Sequence, residues 1–118
     1  MPTKISSHPR FERKVKKLEK RFPDIDDVLE SLLIQLENDE RPGDKIPNIG
    51  QDVYKVRLAN PSAQKGKSGG FRIIYYVRLV DRVVLLTIYA KSDQPDISVQ
   101  DIIALLDDLP NDEPDTEE

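Results

Sequence analysis

Residues 53–60 read VYKVRLAN, residues 70–80 read GFRIIYYVRLV and residues 82–92 read RVVLLTIYAKS. In all three runs aliphatic residues alternate with basic or tyrosine residues, the period expected of strands in one antiparallel sheet. On the first run Tyr54, Val56 and Leu58 share one side while Val53, Lys55 and Arg57 share the other. On the second, Phe71, Ile73, Tyr75 and Val77 oppose Arg72, Ile74, Tyr76 and Arg78. Strict alternation on the third sets Val84, Leu86, Ile88 and Ala90 against Val83, Leu85, Thr87, Tyr89 and Lys91, with Asp81 and Arg82 in the turn. From Val53 to Ser92 there are eight Lys or Arg and one acid, so this stretch carries +7 within a chain of net charge -4. Such a concentration of cations points to a polyanionic partner.

Toward the amino terminus, Lys4 to Ser6 read as a short edge strand, and Ser7, His8 and Pro9 as a helix start. Phe11, Val15, Leu18 and Phe22 recur at helical spacing and face inward, leaving Arg13, Lys14, Lys16, Lys17 and Lys20 outside. Pro23 interrupts, Asp24, Asp26 and Asp27 suit the positive end of a second helix, and Ile25, Val28, Leu29, Leu32, Leu33 and Leu36 supply its apolar side. Pro42, Gly43 and Pro47 mark a loop over 38–52. After the strands, Ser98 with Asp101 three residues on opens a last helix that closes near Pro110 and packs through Ile102, Ile103, Leu105, Leu106 and Leu109. The expected fold is therefore α+β, with an N-terminal strand and an αα-hairpin packed on a small antiparallel sheet, followed by a C-terminal helix. One sheet face is covered and the other partly open, and Lys55, Arg57, Arg72, Tyr89 and Lys91 gather on the open one.

The length of 118 residues fits one domain, read as 1–109, followed by a disordered acidic tail over 110–118. Cysteine is absent, which excludes disulfides and thiolate chemistry. The start has no apolar signal core and no run is long enough to span a membrane, so a cytoplasmic protein without membrane contact is expected. Neither a metal nor a cofactor is expected. Asp24, Asp26 and Asp27 lack the glycine and terminal Glu of a calcium loop. Gly66, Lys67 and Ser68 resemble the end of a phosphate-binding loop, but its first glycine would fall on Pro61 and the run leads into a strand. Lys65 and Lys67 instead sit at the tip of a glycine-rich hairpin loop, and they and Arg78 on the second strand are expected to touch the polyanionic partner.

The paired bases of VYKVR, the GKSGGFRIIYYV run, the TIYAKSD end of the third strand and the DIS helix start resemble the RelE/ParE toxin superfamily, closest to its HigB-like, RelE-type branch. The resemblance covers residues 4–109. It implies a toxin of a type II toxin-antitoxin pair, held by a cognate antitoxin as a hetero-oligomer or acting alone as a monomer. RelE-like relatives cut messenger RNA on the ribosome and so inhibit translation, whereas ParE-like ones poison DNA gyrase. By the same resemblance Lys55 and Arg57 match the family's paired strand bases, Arg72 its central-strand arginine and Lys91 a base near the end of the last strand. Relatives often use a carboxy-terminal tyrosine, and this chain has none after Tyr89.

RNA cleavage by 2′-hydroxyl attack needs an oriented backbone, a neutralised phosphorane and two proton transfers, none of which requires a metal. The only histidine, His8, lies far in sequence from the basic strands, so lysine and tyrosine must serve. Arg72 suits the phosphate because its planar fork matches two oxygens. Lys55, Arg57 and Lys91 neutralise charge, and Tyr89 lies beside them. Three functions remain open on this reading: an mRNA endonuclease, a gyrase inhibitor, and a catalytically silent module that binds RNA or a partner.

Overall fold

The computed structural model describes residues 3–59 and 70–110. Lys65, Lys67 and the acidic tail beyond Pro110 lie outside the described residues. Among the described residues eight elements follow in order: β1 (Lys4–Ser7), α1 (Pro9–Glu19), α2 (Ile25–Glu37), β2 (Asp44–Lys45), β3 (Val53–Leu58), β4 (Phe71–Leu79), β5 (Arg82–Ala90) and α3 (Val99–Asp107). The strands form one sheet in the order β1-β5-β4-β3-β2. It is mixed rather than antiparallel throughout, because β1 runs parallel to β5, with Lys4 opposite Arg82 and Ser7 opposite Leu85. The two helices between β1 and the rest of the sheet return the chain on one side, which permits a parallel pairing that no tight hairpin could make.

Local chemistry explains the helix boundaries. His8 caps α1, its Nδ1 accepting from the Arg10 amide at 2.9 Å, and Pro9 occupies the first turn, where no amide donor is needed. Asp26 and Asp27 sit in the first turn of α2, where the dipole favours carboxylates. Ser98 caps α3 by accepting from Asp101 N at 3.1 Å. The loop over 38–52 contains β2, a two-residue strand held on β3. Its approach depends on Gly43, at φ +93°, where an added Cβ would collide with the Lys55 carbonyl oxygen.

The sheet is buried from both sides. One core joins Phe11, Leu18, Ile25, Leu32 and Leu36 of the helical hairpin to Val56, Phe71, Ile73, Tyr75, Val83, Leu85, Ile88 and Ala90. Tyr75 is fully buried there, stacked on Tyr54 at 5.3 Å and donating to the Pro42 carbonyl. The second core lies on the opposite face, where Ile102 and Leu105 of α3 cover Val53, Ile74, Val84 and Leu86. Strict alternation fails on β5. The register steps from Tyr75 opposite Leu85 to Ile74 opposite Thr87, leaving Leu86 as an extra residue, a β-bulge. Val83 and Leu85 consequently face the helical hairpin rather than the open side, and Val84 and Leu86 part company with Ile88 and Ala90. The turn is Val80 and Asp81, and Arg82 already belongs to β5.

Asp108 Oδ2 lies 3.4 Å from His8 Nε2, within ion-pair range but outside hydrogen-bond geometry. Burial is the largest influence on His8 and lowers its pKa below the ordinary 6.5, against the opposing pull of Asp108. Folding therefore favours the neutral ring. Its contribution to stability is complete above the unfolded value and is lost as pH falls from there through the lower folded one. Urea unfolding across this range should show stability declining on acidification, and His8→Asn, which retains a cap acceptor, should flatten that decline. His8→Ala should cost about 1 kcal/mol through the lost cap. Gly43→Ala should cost more than about 1 kcal/mol, since both space and φ oppose it.

Candidate functional site

α3 covers only part of the second sheet face. Arg57, Arg72 and Tyr89 lie beyond the part that packs against it and form one cross-strand row: Arg57 opposes Arg72 on β4, and Arg72 opposes Tyr89 on β5. The neighbouring row is Lys55, Ile74 and Thr87. The bulge at Leu86 is what places Tyr89 here, because unbroken alternation from Val83 and Leu85 would have turned it into the helical core. Two arginines face each other directly, an arrangement that costs tenths of a kcal/mol or more. Arg57 is exposed and makes no ion pair with the described residues, whereas Arg72 is only 5% exposed, with the Phe71 carbonyl among its partners at 3.3 Å.

A carboxylate that strand periodicity does not point to joins this group. Asp96, in the turn between β5 and α3, accepts on Oδ1 from Lys55 Nζ at 3.1 Å, the Tyr89 hydroxyl at 3.3 Å and the Ile97 amide at 2.8 Å. Its carboxyl is held below the usual range chiefly by the Ile97 amide and then by Lys55. Lys55 is thus engaged with a carboxylate rather than facing solvent alone. Burial, and after it the charge and hydrogen bond of Asp96, pushes the Tyr89 phenol up to about 12, while Arg72 and Arg57 pull the other way. In sequence the only hint of Asp96 is its place in the DIS run before the Ser98 cap. Spacing along the chain cannot reveal that the turn folds back over Tyr89 and reaches β3.

The remaining expected residues are dispersed. Lys91 is not on β5, which ends at Ala90. It is the half-buried first residue of the following turn, its amide donating to the Gly70 carbonyl at 2.9 Å. Arg78 lies six residues along β4 from Arg72, roughly 20 Å away at strand spacing, and donates to the Pro110 carbonyl at 2.9 Å. The structure thus brings Lys55, Arg57, Arg72 and Tyr89 together, sets Lys91 at the margin and puts Arg78 at the opposite end. Among the described residues no group of His, Cys, Asp or Glu side chains is arranged to hold a metal ion.

The arrangement offers two guanidinium groups, one ammonium and one phenol on a single face, a set suited to a phosphodiester. A model of the family described as the RelE toxin of the RelE/RelB toxin-antitoxin system matches residues 11–107. The chain belongs to the RelE toxin family. The match spans α1 through the end of α3 and therefore includes every member of the site. A search of curated proteins finds no match to the chain. Membership makes this protein the toxin of a toxin-antitoxin system, with an antitoxin as its partner. No helix among the described residues is long and apolar enough to cross a membrane.

Tyr89 provides a check on the site's geometry. Because folding raises its pKa, its contribution to stability is complete below the ordinary value of 10.0 and is lost as pH climbs from there toward about 12. Denaturation of the Tyr89→Phe toxin at neutral pH should show a loss of about 1 kcal/mol for the missing hydrogen bond, and a shallower alkaline decline than the unaltered toxin.

Proposed function

We propose that this RelE toxin is a ribosome-dependent mRNA endonuclease that acts in the cytoplasm, inhibits translation and is silenced when its antitoxin covers the Arg57–Arg72–Tyr89 face. The observation that carries the reading is the cross-strand register that aligns these three side chains beside Lys55. A gyrase-binding surface has no use for a phosphate-neutralising row, whereas RNA cleavage requires one. The HigB-like, RelE-type resemblance supports the same substrate.

In this reading the two guanidinium groups grip the non-bridging oxygens of the scissile phosphate and offset the charge that accumulates in the phosphorane. Tyr89, whose hydroxyl hydrogen is directed to Asp96, presents an oxygen lone pair to the attacking 2′-hydroxyl and orients it for in-line displacement. The 2′ oxygen bonds to phosphorus, its proton passes to water, and the bond from phosphorus to the 5′ oxygen breaks. Lys55 donates the proton that the departing 5′ oxygen needs. The products are a 2′,3′-cyclic phosphate and a 5′-hydroxyl, and no oxidant, reductant or metal enters the balance. The ribosome presents the mRNA, which accounts for a site built as an open face rather than a closed cleft.

Expression of the toxin without antitoxin in a bacterial host, with mapping of mRNA 5′ ends and scoring of gyrase-dependent DNA breaks, tests the reading. Cuts within translated codons that disappear with Arg72→Ala are expected. DNA breaks without mRNA cuts would establish gyrase as the target, and neither would leave a binding module. In binding measurements with an RNA oligomer, Arg57→Ala should weaken affinity and reduce the salt slope by about one. Arg78→Ala, at the far end of the sheet, should leave both within about twofold of the unaltered toxin.

A further inference from the structure

We infer that Asp96 is a positioning residue of this site, its carboxylate holding the Tyr89 hydroxyl and the Lys55 ammonium against one oxygen atom. The inference deepens the nuclease reading and rests on it for the reaction, but the hold itself stands on geometry alone. Lys55 belongs to β3 and Tyr89 to β5, with β4 between them, so the two backbones are separated by roughly 10 Å at strand spacing. They also occupy different rows of the sheet, and the β4 residue in the row of Lys55 is the apolar Ile74. Asp96 Oδ1 is the one described atom to which both side chains bond.

The carboxylate is also anchored by its own stretch of chain. Its shortest bond is to the amide of Ile97, the next residue in its own chain, at 2.8 Å. Ile97 packs against the second core beneath α3. The preceding turn is tied down independently: Asp93 and Gln94 donate through their amides to the Ala90 carbonyl, Gln94 Nε2 donates to the Asp96 carbonyl at 2.9 Å, and Arg21 grips Asp93 at 2.7 and 3.0 Å. Backbone and core thus hold the turn that presents the carboxylate to Lys55 and Tyr89.

Two chemical consequences follow. A phenol has one hydrogen, and directing it to Asp96 turns the oxygen lone pairs away from the carboxylate, leaving them for an incoming hydroxyl. The carboxylate also draws Lys55 across from β3 to the side of Tyr89, so that the group orienting the nucleophile and the group serving the leaving oxygen share one anchor. The charged groups facing Tyr89 are Asp96 from the turn, Arg72 from β4 and Arg57 from β3, and Lys55 from β3 reaches it through Asp96.

Asp96→Asn separates charge from shape, because the amide oxygen still accepts from Ile97 and Tyr89. With tyrosine labelled at Cζ and Tyr89→Phe used for assignment, carbon-13 spectra of Asp96→Asn should show the Tyr89 resonance displaced at neutral pH. Its titration should begin about one pH unit earlier than in the unaltered toxin, followed as far as circular dichroism reports an intact fold. Asp93→Asn, in the same turn, should leave that resonance in place. On translating ribosomes, Asp96→Asn should lower the cleavage rate constant at least about tenfold, with little change in KM. A Tyr89 resonance unmoved by Asp96→Asn, or cleavage at the unaltered rate, overturns the role of Asp96. The spectra need no substrate, so a displaced Tyr89 in a toxin that cuts no mRNA overturns the nuclease reading and leaves the hold standing.

Discussion

A single extra residue in β5 governs how this small sheet serves a core on each face and still carries a polar site. Before Leu86, the odd-numbered residues Val83 and Leu85 point into the helical hairpin. After it, the even-numbered Ile88 and Ala90 take over that duty. The step leaves Val84 and Leu86 to receive α3 and delivers Tyr89 to the arginine row. Had the strand kept the period of Val83 and Leu85, Tyr89 would be buried in the hairpin core and Ile88 and Ala90 would lie on the open face. The bulge reconciles apolar burial with placement of the site.

Electrostatics then shape what the fold leaves uncovered. Opposed arginines on adjacent strands concentrate positive charge on the face that α3 does not cover. Asp96 answers the charge of Lys55 from outside the sheet and engages Tyr89 with the same oxygen. An ion pair so exposed adds about 1 kcal/mol or less to stability, so its significance lies in geometry rather than in holding the fold together. Arg72 is different. A guanidinium buried to this degree in the centre of the sheet gives the site one enclosed cation beside the exposed Arg57.

Much of this was legible from residue order. The helical stripe of Phe11, Val15, Leu18 and Phe22, the His8–Pro9 start, the Ser98 cap and the three principal strands all correspond to observed elements, because each is written in local spacing or capping chemistry. The facing of Arg57, Arg72 and Tyr89 was legible too, although plain alternation puts Tyr89 on the right side only by misplacing Val83 and Leu85. A bulge has no local signature in RVVLLTIYA, where every residue suits a strand equally well. Asp96 and the parallel pairing of β1 were hidden for a different reason. Both depend on contacts between distant segments, which spacing along the chain does not encode. The separation of Arg78 from Arg72 was implicit in their six-residue spacing, since they share a face of the strand but stand at opposite ends of it.

The close approach of Gly43 to β3 bears on the outer border of the sheet. Strand edges with unpaired amides and carbonyls invite a neighbouring molecule to add a strand of its own, the first step toward fibrous assembly. Here β2 supplies two residues of pairing, and the Gly43 backbone then presses against Lys55 and Val56 closely enough that no side chain fits between. The toxin thereby has part of that border already blocked against self-association, at the expense of a glycine in a left-handed conformation.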